Sequence, residues 1–336
     1  LVLDGTLPLT EVAFASGFGS VRRFNAAFRD RFGRPPSALR RARTTSDDRI
    51  RLRLDFRPPL AWAPLLAFLE ARAIPGVERI ENGTWRRLVR MDDRLGDVRV
   101  ALAGAASLEA SVSVSLAPVL MPVVANLRAL FDLDADPARI DAHLSRDALL
   151  RKRIRRLPGL RVPGAFDPFE AAIRALLGQQ VSVRAATTIA HRLVQRFGTR
   201  VETSTGPHLT HVFPKPAELA RASIDDVAKP GMPATRAGAI VAFAQAVASG
   251  ELVLDRGIDL DTMVARLRTF RGFGPWTAQY VAMRALSHPD AFPAGDLGIR
   301  KALDGLGEAA TLARAEAWRP WRAYAVLHVW SSPTED

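Results

Sequence analysis

Apolar positions change their spacing twice along the 336 residues, and the changes divide the chain into three stretches. Up to about residue 43 the spacing is helical. One helix ends before Gly17-Phe18-Gly19 and a second begins after Ser20, whose hydroxyl suits an N-cap. Phe24, Phe28 and Phe32 recur every four residues and share a buried face, while Arg22, Arg23 and Arg29 fall elsewhere on that helix. Residues 44–48 read as a linker. From 49 to 130 the period is mostly two. The run Arg49-Ile50-Arg51-Leu52-Arg53-Leu54-Asp55-Phe56 alternates without a break, and Val112, Val114 and Leu116 alternate with serines, as strands with one buried face do. Between them, residues 62–73 read as a helix with Leu65, Leu66, Phe68 and Leu69 on its apolar side. From 131 to 336 the reading is helical throughout, with periodic segments at 169–177, 183–197, 234–248, 260–269, 276–286, 299–303 and 321–330 joined by short Gly/Pro turns. Residues 203–209 read as a surface loop. The pattern predicts an α+β protein: a partial helix-turn-helix, a small antiparallel sheet carrying a helix, and a mainly α domain.

Composition narrows what such a protein can be. No uncharged apolar run reaches the roughly 18 residues of a membrane span, and no signal-peptide pattern opens the chain. Cysteine is absent, which removes disulfides, thiolate zinc, iron–sulfur clusters and a cysteine nucleophile, and fits a cytoplasmic setting. The net charge is +12, and of the 47 basic residues only Lys152, Lys215, Lys229 and Lys301 are lysine. A GC-rich genome accounts for the preference for arginine but not for the net excess. A polyanion, most simply nucleic acid, accounts for that.

The stretch LRTFRGFGPWTA (267–278) sets Gly272-Phe273-Gly274 between two helical segments. A turn of this kind leaves N–H groups unpaired at the start of the second helix, and glycines let a DNA phosphate approach them. Spacing alone serves equally well for a plain helix–helix turn with a glycine C-cap.

The flanking residues resemble a known family. Leu-x-x-Phe-x-Gly-Phe-Gly-x-Trp-Thr-Ala resembles the helix-hairpin-helix of DNA glycosylases, with Arg271 where a proline is usual. FPAGDLGIRKAL (292–303) resembles the aspartate-bearing Gly/Pro loop of that superfamily. FDPFEAAIRALLGQQVSVRAA (166–186), LDFRPPLAWAPLLAFLEARA (54–73) and WRPWRAYAVLHVW (318–330) fit as well, so that residues from about 50 to the end resemble an AlkA-type DNA-3-methyladenine glycosylase. At the front, Gly-Phe-x-Ser, two phenylalanines four apart and Gly-x-x-Pro resemble the second helix-turn-helix unit of AraC-type regulators, as in Ada–AlkA fusions. The chain opens on Leu1, so the first unit is expected to precede it in a longer protein. The implied domains are 1–43 (partial helix-turn-helix), 49–130 (sheet domain) and 131–336 (glycosylase domain).

The resemblance implies a chemistry. Superfamily members that also cut the strand carry a lysine just after the hairpin; here the position is Trp276, which implies a monofunctional enzyme with water as nucleophile. Phe68, Trp276, Tyr280 and Trp330 are implied to line the base pocket, where alkylated, cationic purines gain cation–π attraction; for any one of these rings alone, core packing serves as well. Gln180 takes the position of the residue that fills the gap left by the flipped base, or belongs to an ordinary polar loop. Asp296 is implied to stabilise the positive charge that builds on the sugar, or caps the helix that follows. Gln179, Gln180, Gly272, Phe273, Gly274 and Thr277, with Arg22 and Arg23 in front, are the implied DNA contacts. The family pattern also suggests Na⁺ or K⁺ on the carbonyls of Arg268, Phe270 and Phe273; no cofactor is otherwise required. The expected partner is double-stranded DNA with alkylated bases, bound by a monomer. Two rivals remain: a regulator that only senses damaged DNA, and a glycosylase with another base preference.

Overall fold

The computed structural model describes residues 8–32, 35–39, 49–201 and 208–331. Three helices open it: α1 (Leu9–Ala15), α2 (Val21–Phe32) and α3 (Pro36–Leu39). Ser20 caps α2 through Arg23 N–H at 3.3 Å. Phe24 is buried and rests against Phe18 and Phe28, whereas the side chain of Phe32 and the linker at 44–48 lie outside the described residues. Val12, Ala13, Ala15 and Phe24 share a core with the sheet domain.

That domain is a five-stranded antiparallel sheet in the order β1-β5-β4-β3-β2, with β1 (Arg49–Asp55), β2 (Glu78–Glu81), β3 (Thr84–Met91), β4 (Arg94–Gly104) and β5 (Ser107–Ser113). Helix α4 (Trp62–Glu70) lies between β1 and β2. The turn at Asn82-Gly83, with both φ positive, joins β2 to β3 in two residues. The serine alternation does not continue as a strand. Ser113 is the last paired residue, and Val114–Val119 is a 3₁₀ helix containing Pro118, which leaves Val114 exposed and Leu116 buried. It runs into α5 (Leu120–Leu130), a helix that the period-two reading missed.

The remainder is mainly helical: α6 (Pro137–Leu144), α7 (Ala148–Arg156), α8 (Pro168–Leu177), α9 (Val183–Phe197), α10 (Pro216–Ala220), α11 (Ile224–Ala228), α12 (Ala234–Ser249), α13 (Leu260–Arg268), α14 (Pro275–Arg284), α15 (Leu297–Ala302), α16 (Glu308–Ala315) and α17 (Arg322–Trp330). Helical throughout is corrected by a two-stranded ladder, β6 (Thr199–Arg200) with β7 (His211–Val212). Leu209, expected in a surface loop, is buried and bridges to Gly76; residues 203–207 lie outside the described residues. Two apolar cores divide the helices. One gathers α8, α9 and α12–α14; the other gathers α6, α7, α15 and α17.

A buried ionic quartet ties the sheet to the helices. Arg87 on β3 bonds to both Glu78 on β2 and Glu170 on α8, and Arg174 reaches the same two carboxylates, each at 3.0 Å. Burial alone would raise the Glu78 carboxyl, but Arg87 and Arg174 outweigh it and hold the group below its usual range. Among the described residues no helix is long and apolar enough to cross a membrane.

Candidate active site

A cavity of about 1060 Å³ lies where the two helical cores and the sheet domain meet. Four aromatic residues line it: Trp276 and Tyr280, one turn apart on α14, Trp330 at the end of α17, and Phe166, which the sequence reading did not single out. The Trp276 indole stacks on the Tyr280 ring (centroids 5.0 Å apart, planes 14° apart), and Tyr280 stands 6.3 Å from Trp330. Asp296 enters the cavity from the first turn of α15. Its Oδ1 accepts Ile299 N–H at 3.0 Å and Trp330 Nε1–H at 3.0 Å, and its Oδ2 accepts Trp276 Nε1–H at 3.3 Å. The carboxylate is therefore both helix cap and cavity group. All three donors are neutral, so they fix its direction and leave its charge in place. Glu78 and Glu170 differ, since arginines neutralise both.

The expected fourth ring, Phe68, does not line the cavity; Leu69 and Arg72 do. The Arg72 guanidinium covers the Phe68 ring at 3.6 Å from its centroid, and Arg284 stands 4.5 Å from it. Arg284 also donates to Tyr280 Oη at 3.2 Å and to the carbonyls of Pro163 and Gly164. Burial pulls the Arg284 pKa down to about 10, against the pull of Tyr280, and leaves it a cation at neutral pH. The inner end of the cavity is thus cationic. The sequence reading passed over both arginines, although Arg284 sits four residues beyond Tyr280 and eight beyond Trp276, on one helix face.

The hairpin connects α13 to α14. Gly272 has φ +90°, and a Cβ there would meet Leu176 and Ala239 at 3.1 and 3.2 Å, so conformation and packing both call for glycine. Gly274 is different. Its φ of −66° suits any residue and a Cβ would meet nothing within 4 Å, yet it opens α14 without a side-chain cap. Phe273 anchors the turn in the core, 4.7 Å from Phe243.

Gln179 and Thr277, expected to face DNA, are bonded inside the protein. Gln179 Nε2 donates to Gly272 O at 2.7 Å and to Thr277 Oγ1 at 2.9 Å, and Arg236 holds the Gln179 carbonyl at 2.7 Å. They form a strut between the hairpin and the loop before α9. On that loop Gln180 is exposed with φ +57°, a left-handed conformation that a non-glycine residue holds at a cost of about 1–3 kcal/mol. Val181 and Val183 beside it are exposed valines that the sequence reading did not single out. For the cation site, α13 ends at Arg268 and the Phe270 carbonyl accepts Phe273 N–H at 3.1 Å. No cluster of His, Asp or Glu suited to a metal ion occurs among the described residues. Arg22 and Arg23 are exposed on α2.

Comparison with known proteins agrees with this geometry. Residues 173–322 match the HhH-GPD superfamily base excision DNA repair protein model, residues 51–167 the AlkA N-terminal domain, and residues 1–42 a helix-turn-helix domain. A "probable bifunctional transcriptional activator/DNA repair enzyme AlkA" from Mycobacterium tuberculosis is 39% identical over 99% of this chain and 68% of its own. DNA-3-methyladenine glycosylase 2 of Escherichia coli is 36% identical over 82% of this chain and 95% of its own. The chain therefore belongs to the AlkA-type DNA-3-methyladenine glycosylases of the helix-hairpin-helix base excision repair superfamily, here joined to a helix-turn-helix segment. The fold is that of a 3-methyladenine DNA-glycosylase from Archaeoglobus fulgidus, with a TM-score of 0.72 at 23% identity, over 83% of this chain and 97% of that one.

Proposed function

We propose that the chain is a monofunctional DNA glycosylase that hydrolyses the N-glycosidic bond of alkylated purines, of the 3-methyladenine and 7-methylguanine class, flipped out of double-stranded DNA. The observation that carries this reading is Asp296, an unneutralised carboxylate oriented by the two indoles that also wall the cavity. As the bond to the base breaks, positive charge builds on the deoxyribose. A fixed carboxylate facing that charge stabilises the transition state and orients the attacking water, which leaves an abasic site. An alkylated base already carries a positive charge and leaves readily. It gains cation–π attraction of about 1–2 kcal/mol at the tryptophan end of the cavity, while Arg72 and Arg284 repel it from the inner end. The exposed loop at Gln180 and Val181 fills the space the base vacates, and the strained backbone at Gln180 supports that role. The open start of α14 takes a phosphate whatever the sequence, and the basic face of α2 adds affinity for DNA.

No lysine follows the hairpin, so the strand stays intact. Lys301, which lines the cavity and is exposed, is the lysine to test. The protein is incubated side by side with methylated, uracil-containing and 8-oxoguanine duplexes. The expected result is base release from methylated DNA only, with no strand break and no adduct trapped by borohydride. An adduct that disappears in Lys301→Ala would make the enzyme a lyase. Binding without release of any base would make the protein a sensor of damage.

A further inference from the structure

Helix α7 is the most basic element at the cavity, and the proposed chemistry does not use it. Its nine residues include Arg151, Lys152, Arg153, Arg155 and Arg156, with no acid among them. Leu150 and Ile154 are buried and fix the orientation of the helix against the core that also holds α15 and α17. Leu149, Lys152, Arg153 and Arg156, spaced i, i+3, i+4 and i+7, form a single stripe, and all four line the cavity. Lys301 of α15 lines it too. Arg151, off the stripe, is bonded to the carbonyls of Ser145 and Arg146. Lys152, Arg156 and Lys301 are exposed and form no ion pair with a described residue.

Like charges three and four apart on a helix repel one another. A solvated face normally relieves this with interleaved acids, as the capping Asp147 and Arg314 do with each other one turn away. This stripe has none. The acids that share the cavity are engaged elsewhere: Glu78 and Glu170 by Arg87 and Arg174, Asp167 by the N–H groups of Phe169 and Glu170, and Asp296 by the two indoles and Ile299 N–H. The mouth therefore carries concentrated positive charge beside Asp296, on a different helical core from the hairpin.

We propose that the α7 stripe, together with Lys301, is a second phosphate-binding surface. It holds the backbone of the lesion strand on the opposite side of the flipped nucleotide from the hairpin. The inference rests on the reading of the cavity as the place where the base is released. Extruding a nucleotide costs unstacking and unpairing energy, and contacts to its two flanking phosphates favour the extruded backbone. Two grips, one on each helical core, hold both. The α14 start supplies backbone N–H groups, and α7 supplies long cationic side chains that follow the backbone as it bends.

The test measures the salt dependence of binding to a short duplex carrying an abasic-site analogue. Lys152→Ala/Arg156→Ala is compared with wild type and with Arg200→Ala/Arg221→Ala, which removes the same charge from exposed positions outside the cavity. Each phosphate contact contributes about 0.9 to the slope of log affinity against log salt, so the α7 pair lowers the slope by about 1.8. The control pair leaves the slope unchanged, and the charge-retaining exchange Lys152→Arg/Arg156→Lys restores it. Single-turnover base release at saturating enzyme slows in the α7 pair, because one of the two grips on the extruded nucleotide is lost, while the Arg200→Ala/Arg221→Ala control releases base at the wild-type rate. Equal slopes for the α7 pair and the control would reduce the stripe to a solvated face and overturn the proposal. A slope difference in a protein that releases no base would keep the phosphate site and remove the glycosylase reading instead.

Discussion

Helices α14 and α15 both bring cavity residues from their starts, and those starts are opposites. Helix α15 starts at Asp296, whose carboxylate accepts the Ile299 N–H. Helix α14 starts at Gly274 with no cap, and Pro275 follows it. Side chains close other helix starts, at Asp136, Asp147, Asp167, Ser182 and Asp259, while α4, α12, α16 and α17 open without one, as α14 does. The same electrostatics acts at both places, since the positive end of a helix attracts an anion. At α15 the protein supplies that anion and thereby carries a charge into the cavity. At α14 no side chain supplies one, and the proposed function assigns that place to a phosphate and the Asp296 carboxylate to the chemistry.

The largest test of the contrast removes the charge from the first start. Asp296→Asn keeps the size and the capping ability. Single-turnover release of 3-methyladenine should fall a hundred- to thousandfold, equivalent to about 3–4 kcal/mol, while the melting temperature stays close to wild type. A variant that melts normally and still releases base at the wild-type rate would leave Asp296 as a cap alone. Next in size are the two hairpin glycines. Gly272→Ala should cost about 1–3 kcal/mol in a chemical melt, from the left-handed backbone and the contacts at Leu176 and Ala239, whereas Gly274→Ala should cost well under 1 kcal/mol. Equal losses would mean that the open start has a structural reason of its own. Gly274→Asp goes further and gives α14 the cap that α15 has. Stability should hardly move, and affinity for undamaged duplex at low salt should drop by roughly three- to tenfold, as expected when a carboxylate displaces a phosphate from a helix start. Unchanged affinity would show that no phosphate sits there.

The smallest effect concerns a third carboxyl with a different environment. Asp132 accepts Tyr324 Oη–H at 2.8 Å and Val162 N–H at 3.3 Å, yet burial outweighs these bonds and pushes its pKa up to about 6. The unfolded chain loses this proton near pH 4. Between about pH 4 and 6 the unfolded state therefore binds fewer protons than the folded one, and stability falls as pH rises through that window. Asp132→Asn should flatten that part of the melting curve against pH. If the two curves run parallel from pH 4 to 7, the group is ionised in the fold.

The sequence disclosed the site better than the sheet. Trp276, Tyr280 and Trp330 converge because the first two lie on one face of a strongly periodic helix and the third ends another, and helical periodicity is visible locally. The charge of Asp296 was equally visible, and its cap role followed from its place before α15. The missed strands β3 and β4 carry arginine on both faces, which hides a period of two, and β2 is only four residues long; the Asn82-Gly83 turn was the overlooked signal. Phe68 was misplaced although Arg72, four residues on, was a local signal that its ring could be covered; the second guanidinium, Arg284, comes from α14 and no local pattern announces it. Gln179 and Thr277 were assigned outward for a similar reason: their partnership spans nearly a hundred residues and no local pattern encodes it.

Helix α5 joins parts of the molecule that are usually considered apart. The 3₁₀ turn that leads into it supports α1 of the front segment, and its last residue, Leu130, is in the cavity wall. Eleven residues of helix make a rod about 16 Å long. Leu130 in the cavity wall and the seat of α1 are therefore the two ends of one continuous helical element.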